Sequence, residues 1–346
     1  MIKVLIVDDS ALIRKVLTKI FEGAPNIEVV GTASDPYIAR DKIKLLNPDV
    51  ITLDIEMPRM DGLTFLRNLM RLRPVPVVMI STLTQKGAPA TLEAMENGAV
   101  DYVGKPSADN PEQLMDYADE IIEKVKMAAM ANISRLEQQA SRAPLIVKPV
   151  ERLGAKTDKI IAVGASTGGT EAIREFLLMM PVDSPPIVIT QHIPPVFSTS
   201  FAKRMNETSA LEVHEAQDGD KIMAGHVYIA PGGLHMSVCV KGGAYYCKVY
   251  DGERVNLHKP SVEVLFDSVA KEVGNKAIGV MLTGMGADGA KAMVRMKQAG
   301  SYNIVQDESS SVVWGMPGAV VELMGHDKIV PLDKIAQEVV KRSKLK

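Results

Sequence analysis

The sequence predicts an α/β protein made of two doubly wound parallel-sheet domains. Three observations carry that prediction. Short apolar runs alternate with helix-period segments in both halves of the chain. Between the halves, over residues 141–156, the periodicity fails in a stretch that mixes charge with prolines and a glycine, as a linker does. At 346 residues, finally, the chain is long enough for two cores of ordinary size.

Charge and composition narrow the function. Forty Lys plus Arg against 42 Asp plus Glu leave a net charge of -2, so no basic excess is available to hold a phosphate backbone, and nucleic acid is disfavoured as a partner. The apolar run at the N-terminus is too short for a signal peptide, and no span long enough to cross a bilayer occurs. A cytoplasmic protein without direct membrane insertion is the expectation. Cys239 and Cys247 are the only cysteines. They flank a predicted hairpin turn at Gly242-Gly243, in a register that sets Cys239 opposite Tyr246 and Cys247 opposite Val238. The sulfurs then point to opposite faces, so both are expected to be reduced packing residues. With no Cys-x-x-Cys pair and no His-Glu-x-x-His, a structural or catalytic zinc site has no support in the sequence.

In the first half, strands are predicted over 3–7, 28–32, 50–53, 75–80 and 101–103. Helices run from Ser10 to Gly23 and near 36–46, 63–71 and 88–97, and a last one follows Pro111, with an exposed extension through about residue 139. The strand ends collect Asp8, Asp9, Asp54, Ser81 and Lys105, where ligands of parallel sheets bind. Singly, Asp9 reads equally as a helix cap, Asp54 as a turn residue and Lys105 as a solvated charge. Three carboxylates at one rim repel each other unless a hard divalent cation sits among them, and Mg2+ suits such oxygen ligands. The segments VLIVDDS, VITLDIEMPRMDG, VVMIST and DYVGKP, spread over residues 2–122, resemble a two-component receiver domain. The resemblance implies a flavodoxin-like fold, Asp54 as phosphoacceptor, and Mg2+ held by Asp8, Asp9, Asp54 and the Glu56 carbonyl. It also implies Ser81, Tyr102 and Lys105 as the phosphoryl-sensing switch, a cis Lys105-Pro106 bond, and a histidine kinase as phosphodonor.

In the second half, KIIAVGASTGG reads as a buried strand feeding a tight turn, and Gly164, Ser166 and Gly168 fit the G-x-S-x-G pattern that exposes a serine at a strand-to-helix corner. A phosphate-cradling glycine turn or a simple helix cap fits those residues too. A helix over 171–180, a strand over 186–190 ending in Gln191-His192, a helix near 198–206, a strand over 225–230 and the cysteine hairpin follow. A helix over 261–273, a strand over 277–282 ending in TGMGADG, a strand-like piece over 300–307 and a helix in SVVWGMPGAVVEL complete the pattern. Ser166, His192 and Asp288 all lie just past strand ends and converge on one rim if the sheet is parallel; their chemistry is acyl transfer. His214, His226, His235, His258 and His326 compete with His192, and Asp307 competes with Asp288. The order Ser, His, Asp differs from the α/β-hydrolase order, and Gly164, Gly168 and Gly169 do not form a dinucleotide fingerprint.

VGASTGG, ITQHIPPVFSTSFAKRM, VYIAPGGLHM, LHKPSVEVLF, VMLTGMGADGA and QDESSSVVWGMPGAV together resemble the catalytic domain of the chemotaxis protein-glutamate methylesterases, over residues 159–330. The resemblance implies a receiver over 1–123, a helical extension and linker over 124–157, and a Rossmann-like esterase domain with a small antiparallel hairpin insertion over 158–346. It implies Ser166 as nucleophile, His192 as base and acid, Asp288 as orienting acid, the Met285 N-H as an oxyanion donor and Thr167 in support of the histidine. The implied substrate is a methylated chemoreceptor cytoplasmic helix, demethylated with release of methanol and with no cofactor for that reaction, and receptor glutamines are a further target. The receiver is expected to obstruct the Ser166 rim until Asp54 is phosphorylated by the chemotaxis histidine kinase.

Overall fold

Five parallel strands form the sheet of the first unit in the computed structural model, which describes residues 1–82, 88–105, 115, 117–141, 153–154 and 158–345. The chain divides into Met1–Pro144 and Leu145–Lys346. In the first unit, β1 (Ile2–Val7), α1 (Ala11–Glu22), β2 (Ile27–Ala33), α2 (Pro36–Leu46), β3 (Val50–Leu53), α3 (Gly62–Leu72), β4 (Val77–Thr82), α4 (Ala88–Glu96) and β5 (Asp101–Lys105) alternate. Local chemistry sets the helix starts: Asp35 accepts hydrogen bonds from the Tyr37 and Ile38 N-H groups, and Asp61 from Thr64 N-H. The strand order β2-β1-β3-β4-β5 reverses between β1 and β3, which opens a crevice where Asp8, Asp9 and Asp54 emerge.

After α5 (Ala118–Ala128) the expected exposed extension does not occur. The chain turns at Met130–Asn132, where Asn132 accepts from Arg135 N-H, and α6 (Ile133–Ser141) packs against α3 with Leu136 fully buried. Residues 124–141 therefore belong to the packed body of the first unit. The Lys105-Pro106 bond, the start of the last predicted helix at 111–114 and most of the predicted linker lie outside the described residues. Leu153 and Gly154 are described, and their N-H groups donate to the Asp183 carboxylate of the second unit at 2.7 and 3.0 Å.

The second unit runs β6 (Ile160–Ala165), α7 (Gly169–Leu178), β7 (Ile187–Gln191), α8 (Pro195–Thr208), β8 (Glu212–Glu215), β9 (His226–Ile229), the hairpin β10 (His235–Lys241) and β11 (Ala244–Tyr250), and α9 (Val262–Glu272). It continues with β12 (Ala277–Met281), α10 (Ala290–Gln298), β13 (Tyr302–Gln306), α11 (Met316–Glu322), β14 (Lys328–Val330) and α12 (Leu332–Ser343). Its seven parallel strands follow the order β14-β13-β12-β6-β7-β9-β8. Without the edge strand β8 this is the doubly wound Rossmann order, with its switch point between β12 and β6. β6, β7 and β12 are buried along their whole length, which explains why they read as unbroken apolar runs. The hairpin register pairs Cys239 with Tyr246 and Cys247 with Val238, and both thiols are free.

Because Leu136 is part of the first core, Leu136→Ala should destabilise that unit by about 2–5 kcal/mol, the usual cost of emptying a buried leucine site. The neighbouring exposed Glu137→Ala should change it by less than about 0.5 kcal/mol. Amide hydrogen exchange in α3 reads this unit alone; equal protection in the two variants would show that α6 contributes nothing to it.

Candidate functional site

Ser166 sits where β6 turns into α7. Its N-H donates to the Thr283 carbonyl at 3.1 Å, and its own carbonyl accepts from Gly169 N-H and from Gln191 Nε2. The turn needs glycine twice. Gly168 has φ +73°, a conformation that a side chain rarely adopts. At Gly284 a Cβ would lie 2.9 Å from that of Ser166, so the loop after β12 closes directly on the serine only because no side chain intervenes.

His192 follows β7 and bridges the rim. Its Nδ1 lies 3.0 Å from Ser166 Oγ and its Nε2 2.8 Å from Asp288 Oδ2. Burial pushes the Asp288 carboxyl up, but hydrogen bonds from His192, Asn256 and Ser261 outweigh burial and hold it at about 2. An ionised carboxylate only accepts, so His192 Nε2 carries the proton. In the neutral ring Nδ1 is then the acceptor, and Ser166 Oγ-H donates to it.

Asp288 is itself fixed by groups that the sequence reading did not single out. Asn256 Nδ2 and Ser261 Oγ each donate to Oδ1 at 2.8 Å, Val262 N-H donates to Oδ2 at 2.7 Å, and Glu263 N-H reaches Oδ1 at 3.3 Å. Ser261 is the N-cap residue of α9, yet it makes no side-chain cap. Asp288 caps the helix instead, from a loop distant in sequence, and its charge lies at the favourable end of the helix dipole. His235, itself buried, accepts from Ser261 N-H and donates to the Glu253 carbonyl, which fixes the segment that delivers Ser261. The His258 ring stacks on His192 with centroids 3.6 Å apart.

The other competitors fall elsewhere. Asp307 accepts from Ser309 and Ser310 within its own turn, and His214 pairs with His226. Met285 is half-buried, next to Gly284, and its N-H meets no acceptor among the described residues. Thr167 is buried and its carbonyl lies 3.0 Å from Thr283 Oγ1.

At the other rim, Lys105 Nζ lies 2.7 Å from Asp8 Oδ2 and 2.6 Å from Asp54 Oδ2. Burial pushes the Asp54 carboxyl up to about 6 despite Lys105, and raises that of Asp8. Burial lowers the Lys105 pKa, but the facing carboxylates more than restore it and the net direction is up. One ammonium thus faces two buried carboxylates, with the exposed Asp9 close enough to share a cation with them. Asp8 Oδ2 is engaged by Lys105, and the carboxylate oxygens of Asp8, Asp9 and Asp54 lie within 4.8 Å of one another, a set of hard oxygen donors that fits Mg2+. Glu56 lies in the loop just after Asp54. Ser81 is buried at the end of β4, paired in register with Gly104; Tyr102 is buried on β5, with Lys124 over its ring.

Fold and geometry define the class: a response regulator whose receiver precedes an α/β domain carrying a Ser-His-Asp series. Residues 161–339 match the family model described as CheB methylesterase, and residues 4–119 match that of the response regulator receiver domain. Protein-glutamate methylesterase/protein-glutamine glutaminase 2 of Saccharophagus degradans is 56% identical over 343 residues, covering 99% of each chain. Protein-glutamate methylesterase/protein-glutamine glutaminase 1 of Xanthomonas campestris pv. campestris is 54% identical, covering 98% of this chain and 96% of the relative. The crystal structure of the Thermotoga maritima CheB methylesterase catalytic domain matches with TM-score 0.53 and 36% identity, covering 54% of this chain and 100% of that one. The chain belongs to the CheB methylesterase family.

The Asp288 carboxyl lies below its ordinary value, so in acid the unfolded chain binds the extra proton. The associated stability of about 2 kcal/mol is complete above about pH 4 and is lost as pH falls through about 2. Fluorescence of Trp314, the single tryptophan, reports unfolding of the second unit. Asp288→Asn should remove this part of the pH slope; an unchanged slope would mean that the carboxylate is not held in this way.

Proposed function

We propose that the chain is a phosphorylation-activated serine hydrolase that demethylates glutamyl methyl esters on chemoreceptor cytoplasmic helices. The observation that carries this reading is the continuous Ser166-His192-Asp288 hydrogen-bond series at the switch point of the sheet. Ser166 Oγ attacks the ester carbonyl as its proton passes to His192 Nδ1, and Asp288 stabilises the imidazolium through Nε2-H. In this reading the Met285 N-H donates to the oxyanion, and Thr167 supports the histidine. His192 Nδ1-H then protonates the departing methoxide, which leaves as methanol and an acyl-Ser166. Water, deprotonated by His192, attacks the acyl carbon and releases glutamate and Ser166. Receptor glutamines can follow the same route with ammonia as leaving group, more slowly, because an amide carbonyl is less electrophilic than an ester.

In the receiver, Asp54 takes the phosphoryl group from the chemotaxis histidine kinase. Asp8, Asp9, Asp54 and the Glu56 carbonyl are the residues that hold Mg2+, which neutralises phosphoryl oxygens when bound. Lys105 supplies fixed positive charge to the same oxygens, and Ser81 hydrogen-bonds one of them. Ser81 and Tyr102 report the change to the rest of the unit. The receiver is the first unit, whose packed body runs on through α6, and the hydrolase spans 158–346, with the stretch between them as connector.

Methanol release from methylated receptor cytoplasmic fragments tests both halves. The full chain with Mg2+ and a small phosphodonor should exceed its unstimulated rate by about 5–150-fold, the range of ordinary coupling energies. Ser166→Ala should lose at least about a thousandfold, and Asp54→Asn should lose the stimulation. Release that survives in Ser166→Ala would overturn the assignment of the nucleophile.

A further inference from the structure

Away from the Ser166 rim, the outer edge of the seven-stranded sheet carries a second cluster of chemistry-bearing side chains. Glu212 and His226 open β8 and β9 and are register partners in the parallel ladder. His214 lies two residues further along β8, on the same face as Glu212 by strand alternation. His214 Nε2 is 3.0 Å from His226 Nδ1, which is 3.6 Å from Glu212 Oε2. The three ligand atoms all lie within 4.8 Å of one another.

A tetrahedral ion with bonds of about 2.0–2.2 Å to imidazole nitrogen and carboxylate oxygen sets its donors about 3.3 Å apart. The observed separations of 3.0 and 3.6 Å bracket that value. The His214 and His226 rings stack beside Tyr228, which accounts for the ring planes, but Glu212 and His214 are both exposed and Val213 between them is the residue that faces the core, so burial does not fix the three donors together. An imidazole pair alone satisfies one hydrogen bond and leaves the Glu212 carboxylate unused.

We infer that Glu212, His214 and His226 bind a first-row divalent cation, with Zn2+ as the best match to two imidazoles and one carboxylate, and with solvent in the fourth position. A hard ion such as Mg2+ prefers an all-oxygen shell, so this site is chemically distinct from the Asp8-Asp9-Asp54 cluster. Glu212 and His226 stand at the amino ends of their strands, whereas Ser166 and His192 follow carboxyl ends, so the ion takes no part in ester hydrolysis. It ties β8, the edge strand, to β9 through side chains as well as through the ladder.

Titration of the full chain with Co2+, a spectroscopic stand-in for Zn2+, tests the site. Intense tetrahedral d-d bands should grow to one equivalent, remain in Asp54→Asn, and vanish in His214→Ala and in His226→Ala. Zn2+ should raise the melting temperature of the wild-type second unit, read by Trp314, and should not raise that of either histidine variant. Absence of the bands in the wild type, their persistence in either histidine variant, or their loss in Asp54→Asn overturns the inference.

Discussion

The Asp288 carboxylate is the contact on which the second unit's chemistry depends. It accepts from His192, Asn256, Ser261 and the first turn of α9, so one charged group joins the loop after β12, the segment after the hairpin and the turn after β7. A buried carboxylate is costly unless its lone pairs are filled, and here hydrogen bonds and a helix dipole fill them. The same bonds that keep Asp288 ionised decide which nitrogen of His192 carries the proton. The acid therefore does structural and chemical work with one set of contacts: cutting it loosens α9 and also removes the tautomer that Ser166 needs.

The first unit places its own carboxylates at its switch point, with the opposite balance of charge. Asp288 has more donors than it needs, whereas Asp8 and Asp54 share a single ammonium, and burial pushes both carboxyls up. A site with excess buried negative charge favours gaining a cation, and in the proposed phosphotransfer the Lys105 ammonium beside Asp54 meets the incoming anionic group. Both sites use the geometry of a parallel sheet, in which the carboxyl ends of strands deliver side chains to one crevice.

Buried parallel strands read as apolar runs that stop abruptly, and this made the strand ends legible: Asp8, Asp54, Ser81, Ser166, His192 and Asp288 could all be placed on rims from pattern alone. Several elements escaped for physical reasons. β8 and β14 are short edge strands with exposed residues, and α6 follows a turn at Met130–Asn132 that contains neither proline nor glycine. α12 carried a usable signal, because Leu332, Ile335, Ala336 and Val339 are buried at helical spacing. Asn256 and Ser261 reach Asp288, and His235 of β10 holds Ser261 N-H, through long-range packing of the post-hairpin segment, which no local spacing encodes. The Glu212-His214-His226 cluster was equally hidden, since it depends on the register between two parallel strands. Ser261 gave a half-signal: it marked the start of α9 correctly, but its hydroxyl is spent on Asp288.

His192 is anchored through Nε2 on Asp288 and, in the proposed mechanism, reacts through Nδ1. Nitrogen-15 NMR of the histidine rings in the full chain, assigned with a His192→Gln control, measures this directly. The neutral His192 ring should show a protonated Nε2 and a bare Nδ1, with that preference lost in Asp288→Asn. A neutral ring protonated at Nδ1 in the wild type would contradict it, because Ser166 would then have no base.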